Sequence, residues 1–176
     1  MNVPPEDAEF PGDRDDVDEI EAAWRRERPD LDASSIGVLT RIRRIARLLD
    51  RHRTRLLTEL GTDSSTLDLL ATLRRAGPPY RLTPTELADR TLITTGAMSQ
   101  RLMKAESSGW IRREAATGDA RSIVVSLTTD GFELVERVVG EVLRSEQQLL
   151  DRFTPTEQAE LAAMLRRFLA DVRTHG

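Results

Sequence analysis

The 176-residue chain has no cysteine, only two histidines and a single tyrosine, and just one of its 26 basic residues, Lys104, is a lysine. Without thiols there are no disulfides, thiolate-held metals, cysteine nucleophiles or thiol redox sensors. His52 and His175 lie far apart, and the chain has no HExxH pair, phosphate-cradling glycine loop or nucleophile elbow. The acidic run Asp13 to Glu19 lacks the central glycine and terminal glutamate of a calcium loop. An enzyme is therefore not expected, and neither a catalytic residue, a metal nor a cofactor is assigned. No apolar run approaches the roughly 20 residues of a membrane helix, and the acidic first 18 residues lack the apolar core of a secretory signal. The expected location is the cytoplasm, with no membrane partner.

The net charge of −4 looks wrong for a partner of nucleic acid until it is divided. Residues 1–32 hold 12 acidic and 4 basic residues, a balance of −8, which leaves 18 acidic and 22 basic residues, or +4, in residues 33–176. Local charge on a binding face, not the overall balance, governs attraction to phosphate.

Residues 1–16, rich in acids, Pro4, Pro5, Pro11 and Gly12, read as a disordered leader. An extra N-terminal helix, within 17–32, carries Val17, Ile20, Ala23 and Trp24 and ends before Pro29. A long helix follows, with Asp32 or Ser34 as its cap. Its apolar stripe is Val38, Ile42, Ile45 and Leu49; the arginines around the stripe, Arg41 to Arg55, read as a solvated face. Gly61 ends this helix, and a shorter one runs from about Ser64 to Arg75, stopped by Gly77-Pro78-Pro79.

Thr83-Pro84-Thr85-Glu86 then supplies a capping threonine, proline at the first helical position and glutamate to close a capping box. The short helix it begins turns at Thr91–Thr94 into another, from about Thr95 to Ser108, ended by Gly109. Two strands, Trp110 to Glu114 and Ser122 to Leu127, form a hairpin around Thr117-Gly118-Asp119. Thr128 or Asp130 caps a helix bearing Leu134, Val138, Val142 and Leu149. A second Thr-Pro-Thr-Glu box, Thr154 to Glu157, starts the last helix, whose apolar face is Leu161, Met164, Leu165, Phe168, Leu169 and Val172.

Short helix, tight turn, longer helix and hairpin make a winged helix-turn-helix, whose longer helix enters the major groove while the hairpin forms the wing. On a wheel of residues 95–108, Met98, Leu102 and Ala105 face inward, whereas Gly96, Ser99, Gln100, Met103 and Lys104 face out. Small and polar groups allow close approach to DNA, with Gln100 as base reader and Lys104 as phosphate contact; the wheel alone suits an ordinary amphipathic helix equally well. The stripes on the first long helix and on the last two exceed what one small core needs, and suit a homodimer whose two reading helices are spaced about one DNA turn apart.

The segment Asp119-Ala120-Arg121-Ser122-Ile123-Val124-Val125-Ser126-Leu127-Thr128-Thr129-Asp130-Gly131 resembles the MarR-family wing signature, an Asp-x-Arg followed by a strand, Leu-Thr and Gly. The resemblance spans roughly residues 35–173. It implies a mainly α fold, a MarR-like winged helix-turn-helix (63–128) with flanking dimerisation helices (33–62 and 129–176). It also implies that Arg121 reaches the minor groove and that Asp119 orients it, alongside Thr95, Gly96, Ser99, Gln100 and Lys104 on the reading helix. The plainer alternative for the wing pair is a solvated hairpin salt bridge.

Trp24 followed by Glu27-Arg28-Pro29-Asp30-Leu31-Asp32, then Leu67-Asp68-Leu69-Leu70 and Leu73 to Tyr80, resembles the urate-responsive, PecS/HucR-like branch of that family. That likeness implies a ligand set of Trp24, Asp68, Arg101 and Arg113, with Arg112 the neighbouring alternative to Arg113. It implies a regulator, in the repressor sense, that releases palindromic DNA on binding urate or a related purine. Urate is a flat anion, and a stacking indole with arginine donors suits it. By the wheel Arg101 flanks the inward cluster, whereas Asp68 falls on the polar side of its helix, so an inward role for Asp68 rests on the likeness alone. The chain departs from the branch pattern at Thr94 to Met98 and at Ala120. Two other readings stay open: a MarR-type regulator of a phenolic or other small anion, and a protein-binding winged helix that does not bind DNA.

Overall fold

The computed structural model describes residues 14–116 and 119–175, and within the hairpin it does not describe the side chains of 116 and 119–122. The expected leader therefore lies outside the described residues up to position 13. The chain divides into two compact units, residues 1–55 and 56–176.

In the first unit, helix α1 (Asp16–Glu27) precedes most of α2 (Ser35–Glu59). A reciprocal cap starts α1: Asp15 accepts the Val17 amide at 2.9 Å, and Asp18 accepts the Asp15 amide at 2.8 Å. The same two carboxylates receive Arg41, whose Nη2 lies 2.8 Å from each. Arg44 pairs with Asp16. Two arginines expected on a solvated face are thus committed to the acids of α1. Asp15 and then Asp18 stabilise the Arg41 guanidinium and push its pKa up. Gly37 allows a close approach, since a Cβ there would meet Glu21 Oε2 at 2.8 Å.

The second unit contains α3 (Ser64–Arg75), β1 (Arg81–Leu82), α4 (Pro84–Thr91), α5 (Thr95–Ser107), β2 (Ile111–Ala116), β3 (Asp119–Leu127), α6 (Thr129–Leu149) and α7 (Pro155–His175). The antiparallel sheet has the order β1-β3-β2, with Leu82 opposite Val125 and Arg113 also opposite Val125 from the other side. Strand β1 went unread in the sequence, because two residues carry no alternation. The wing strands also reach closer to the turn than their apolar residues suggested.

Local chemistry explains the helix starts. Thr83, Thr94, Thr128 and Thr154 accept the amides of Glu86, Ala97, Gly131 and Glu157, each three residues on. Glu86 and Glu157 close the two boxes through the Thr83 and Thr154 amides, at 2.8 and 2.7 Å. Gly109, at φ +76°, ends α5: its amide bonds to Glu106 O, and the Trp110 amide reaches Ala105 O at 3.0 Å. That is a Schellman end, which favours glycine because the left-handed backbone is uncrowded without a Cβ.

The core of the second unit joins Leu69, Leu70 and Leu73 of α3, Leu87 of α4, Met98 and Leu102 of α5, Val125 of β3, and Val135 and Val138 of α6. On its edge, Tyr80 packs against Phe132 at 5.3 Å between ring centres, with the Arg74 guanidinium 5.1 Å from both rings and bonded to Glu136. Helix α7 has no buried residue; Met164, Leu165, Leu169 and Val172 are all about half exposed, as are Val38, Ile45 and Leu49 of α2.

Thr128 ties the end of α5 to the start of α6. Its hydroxyl donates to Gly109 O at 2.7 Å, and its amide donates to Trp110 O. Gly131, one helical turn on, packs so tightly that a Cβ would lie 1.9 Å from that same Trp110 carbonyl oxygen. A backbone oxygen cannot swing aside as a side chain does. Gly131→Ala is therefore expected to cost about 3 kcal/mol, at the upper end of overpacking effects, and to lower the thermal midpoint by roughly 6–12 °C. A thermal melt followed by circular dichroism checks this; an unchanged midpoint contradicts the close packing.

Candidate nucleic-acid interface and effector site

Helix α5 buries one narrow face. Met98, Leu102 and Ala105 are buried, and Thr95, Gly96, Ser99, Gln100, Met103 and Lys104 are exposed, as the wheel anticipates. The turn before α5 passes through Leu92 in the left-handed region (φ 54°), its side chain 91% exposed. Ser99 donates its hydroxyl to Thr95 O at 3.0 Å, so its oxygen is left to accept from outside. Gly96 differs from Gly131 in that nothing lies within 4 Å of a Cβ built on it. The fold itself gives no reason for glycine there.

Three ion pairs border the helix. Lys104 Nζ lies 2.6 Å from Asp63 Oδ2. Asp63 also caps α3, taking the Thr66 amide at 3.0 Å and the Thr66 hydroxyl at 3.1 Å. Burial works against the Asp63 charge, but Lys104 and then the Ser65 and Thr66 donors outweigh it and hold the carboxyl far below the usual carboxylate range. Arg101 approaches Asp68 of α3 at 4.0 Å, with the two side chains 25% and 52% exposed. This is the pair that the sequence resemblance assigns to the ligand, and Asp68 stands on the open side of α3, where periodicity put it.

Arg113 of β2 directs Nε to Glu106 Oε2 of α5 at 2.8 Å, and its Nη2 reaches the same oxygen. The neighbouring Arg112 bonds to Ser126 Oγ and Glu114, both at 3.1 Å. Successive strand residues face opposite sides of a sheet, so Arg113 shares the α5 side and Arg112 does not. Trp24 stands on α1 in the first unit, 51% exposed. Asp119 and Arg121 have their backbones at the start of β3, with Asp119 opposite Ala116; their side chains, and so their expected pairing, lie outside the described residues. Among the described residues no cluster of His, Cys, Asp or Glu suits a metal, and no helix is long and apolar enough to cross a membrane.

Asp63 and Glu106 were not singled out from the sequence. A signal for Asp63 was present, since it precedes Ser64 at the start of a helix. Glu106 and Arg113 meet only because the Gly109 turn folds β2 back beside α5.

A MarR-family model matches residues 60–122. Across 152 residues the chain is 36% identical to the HTH-type transcriptional regulator PecS of Dickeya dadantii, covering 86% of this chain and 92% of that one. The chain belongs to the MarR family. The members of this family are transcriptional regulators rather than enzymes, and this MarR-family chain is a transcriptional regulator with the winged-helix fold. Its structure is similar to that of Sco3205, a MarR-family regulator from Streptomyces coelicolor solved in complex with DNA (TM-score 0.69, 31% identity, 79% of this chain and 88% of that one). It is also similar to a point mutant of MarR from Escherichia coli complexed with operator DNA (TM-score 0.64, 27% identity, 77% and 96%).

Because Asp63 is both cap and counter-ion, Asp63→Ala is expected to destabilise this MarR-family chain by about 1–2 kcal/mol at pH 7. The folded pKa of Asp63 is depressed, so its contribution is present above the unfolded value of about 3.9 and fades as pH falls through the folded value. The gap between the urea midpoints of wild type and variant should therefore be full at pH 7 and narrow progressively as pH falls below about 4. A gap that holds constant down to low pH contradicts this role for the charge.

Proposed function

We propose that this regulator binds double-stranded operator DNA as a homodimer and releases it on binding urate or a related purine anion, acting as a repressor in the cytoplasm. The reading is carried by Gly96. Glycine within a helix costs roughly 0.5–1 kcal/mol relative to alanine, and nothing inside the chain asks for it. A partner that comes within van der Waals distance of the backbone does. Around Gly96 are the small and polar groups Thr95, Ser99 and Gln100, and relatives sharing the fold have been solved on DNA.

In this arrangement Gln100 reads a base edge, Thr95 and Ser99 contact the groove wall, and Lys104 exchanges Asp63 for phosphate. Asp119 orients Arg121 into the adjacent minor groove. A second copy covers the apolar faces of α7 and α2 and spaces the two reading helices about one DNA turn apart. The effector takes Arg101 and Arg113 for its anionic edge and Asp68 for its ring N–H groups; the resemblance to the urate-responsive branch adds Trp24 as the stacking residue. The position of Arg113 on the α5 side of the sheet supports it over Arg112. No cofactor takes part.

Fluorescence anisotropy on labelled DNA from upstream of the protein's own gene, with and without urate, tests the reading. Binding should be tight, fall steeply with salt, weaken with urate, and lose its urate response in Arg101→Ala. Binding indifferent to urate removes the effector, and binding no tighter than to unrelated DNA removes operator recognition. Gly96→Ala separates fold from function: stability should rise by up to about 1 kcal/mol while operator affinity falls. Unchanged affinity would falsify the close approach.

A further inference from the structure

We infer that Glu106 is a built-in competitor for the effector: its carboxylate occupies the Arg113 guanidinium that an anionic ligand must take, so ligand binding unties the reading helix from the wing. This rests on the proposal that Arg113 is a ligand residue.

The geometry is specific. Glu106 lies in the last turn of α5, and Arg113 lies on β2, on the far side of the Gly109 turn. Arg113 directs both Nε and Nη2 at Oε2 of Glu106, which leaves it little donor capacity on that edge for a second anion. Glu106 receives no other side-chain hydrogen bond among those described, so Arg113 is its main support. That pairing holds the Glu106 carboxyl below its ordinary range and raises Arg113. Both side chains remain partly open, 39% and 31% exposed, so a small solute can reach the pair.

Two consequences follow when an anion takes Arg113. The Glu106 carboxylate loses its counter-charge and is left beside the incoming anion, which repels it. The end of α5 then keeps its Schellman turn, the Thr128 bond to Gly109 O and the Arg113 amide on Glu106, but loses its one charged tie to β2 among the described residues. Farther up the helix, Arg101 is paired with Asp68 more loosely, at 4.0 Å. One anion engaging both arginines therefore relaxes α5 from α3 and from the wing together. Exchange of one carboxylate for another anion also needs less net desolvation than charging an empty site, which suits a reversible sensor.

The test compares wild type with Glu106→Gln, Glu106→Asp and Arg113→Ala in the full-length protein. Urate binding is measured by isothermal titration, and operator binding by anisotropy. Glu106→Gln keeps the shape and removes the charge. It should bind urate roughly three- to tenfold more tightly, the range expected for losing a partly exposed charge-assisted pair, and bind operator more weakly without urate. Glu106→Asp should fall between it and wild type. A merely structural role would weaken both ligands and never tighten one. If Arg113→Ala abolishes urate binding while Glu106→Gln binds urate no more tightly than wild type, the competitor role is overturned and the ligand site stands. If Arg113→Ala binds urate as wild type does, Arg113 is not a ligand residue and the inference falls with that part of the proposed function.

Discussion

Everything that this regulator does with DNA depends on how few side chains hold α5 in place. Met98, Leu102 and Ala105 are the only members of that helix buried in the core, which leaves the opposite face open, as entry into a groove under the proposed function requires. Burying two large residues and one small one is worth a few kcal/mol. The apolar contact sets which face points inward. At the rim the helix is joined to its neighbours by Lys104–Asp63, Arg101–Asp68 and Arg113–Glu106. Partly exposed pairs of this kind contribute modestly each, and a small anion can compete with them. Coupling between a ligand and a distant partner is typically about 1–3 kcal/mol, the same order as one or two such pairs. A reading helix anchored by a large apolar face would be beyond the reach of a small anion.

The wing shares the same mechanics. Thr128 joins Gly109 O to the Gly131 amide, and Gly131 sits against the Trp110 carbonyl. The end of α5, the start of β2 and the first turn of α6 are thereby one rigid corner. Glu106 and Arg113 meet just beside this corner, one turn back along α5 and three residues into β2. The Leu-Thr-x-x-Gly part of the wing signature thus has a physical reason independent of DNA: it builds the corner from which both reading elements project.

The sequence was most legible where structure is made by neighbours. The helix starts at Thr83, Thr128 and Thr154 follow from a threonine and the amide three residues on, and the inward face of α5 follows from a 3.6-residue period. The open position of Asp68 was legible for the same reason. Pairings across a turn or between elements were not. Arg41 and Arg44 looked like a solvated face until α1 brought Asp15, Asp16 and Asp18 to them. Glu106 looked like one more surface acid. Strand β1 is two residues long and exists because β3 offers it an edge, which no local pattern encodes. The resemblance offers Arg113 with Arg112 as its alternative, and periodicity does not choose between them; the sheet places Arg113, and not Arg112, on the α5 side.

The apolar stripes pose the opposite problem from α5. Helix α7 spans 21 residues and buries none of them within the chain. Isolated helices draw little stability from their own hydrogen bonds and rely on packing of an apolar face, so a half-exposed row of Met164, Leu165, Leu169 and Val172 is incomplete by itself. Under the proposed function a second copy supplies what the row lacks, and that partnership also fixes the spacing of the two reading helices. The division of labour is then chemical. In that proposal apolar burial, insensitive to salt and to small anions, keeps the two lobes at a constant separation, while ion pairs, sensitive to both, decide whether each lobe presents its helix. Under the proposed function, an effector acting on the apolar layer would cost the regulator its dimer along with its operator, whereas an anion placed among arginines and carboxylates confines the change to the reading heads.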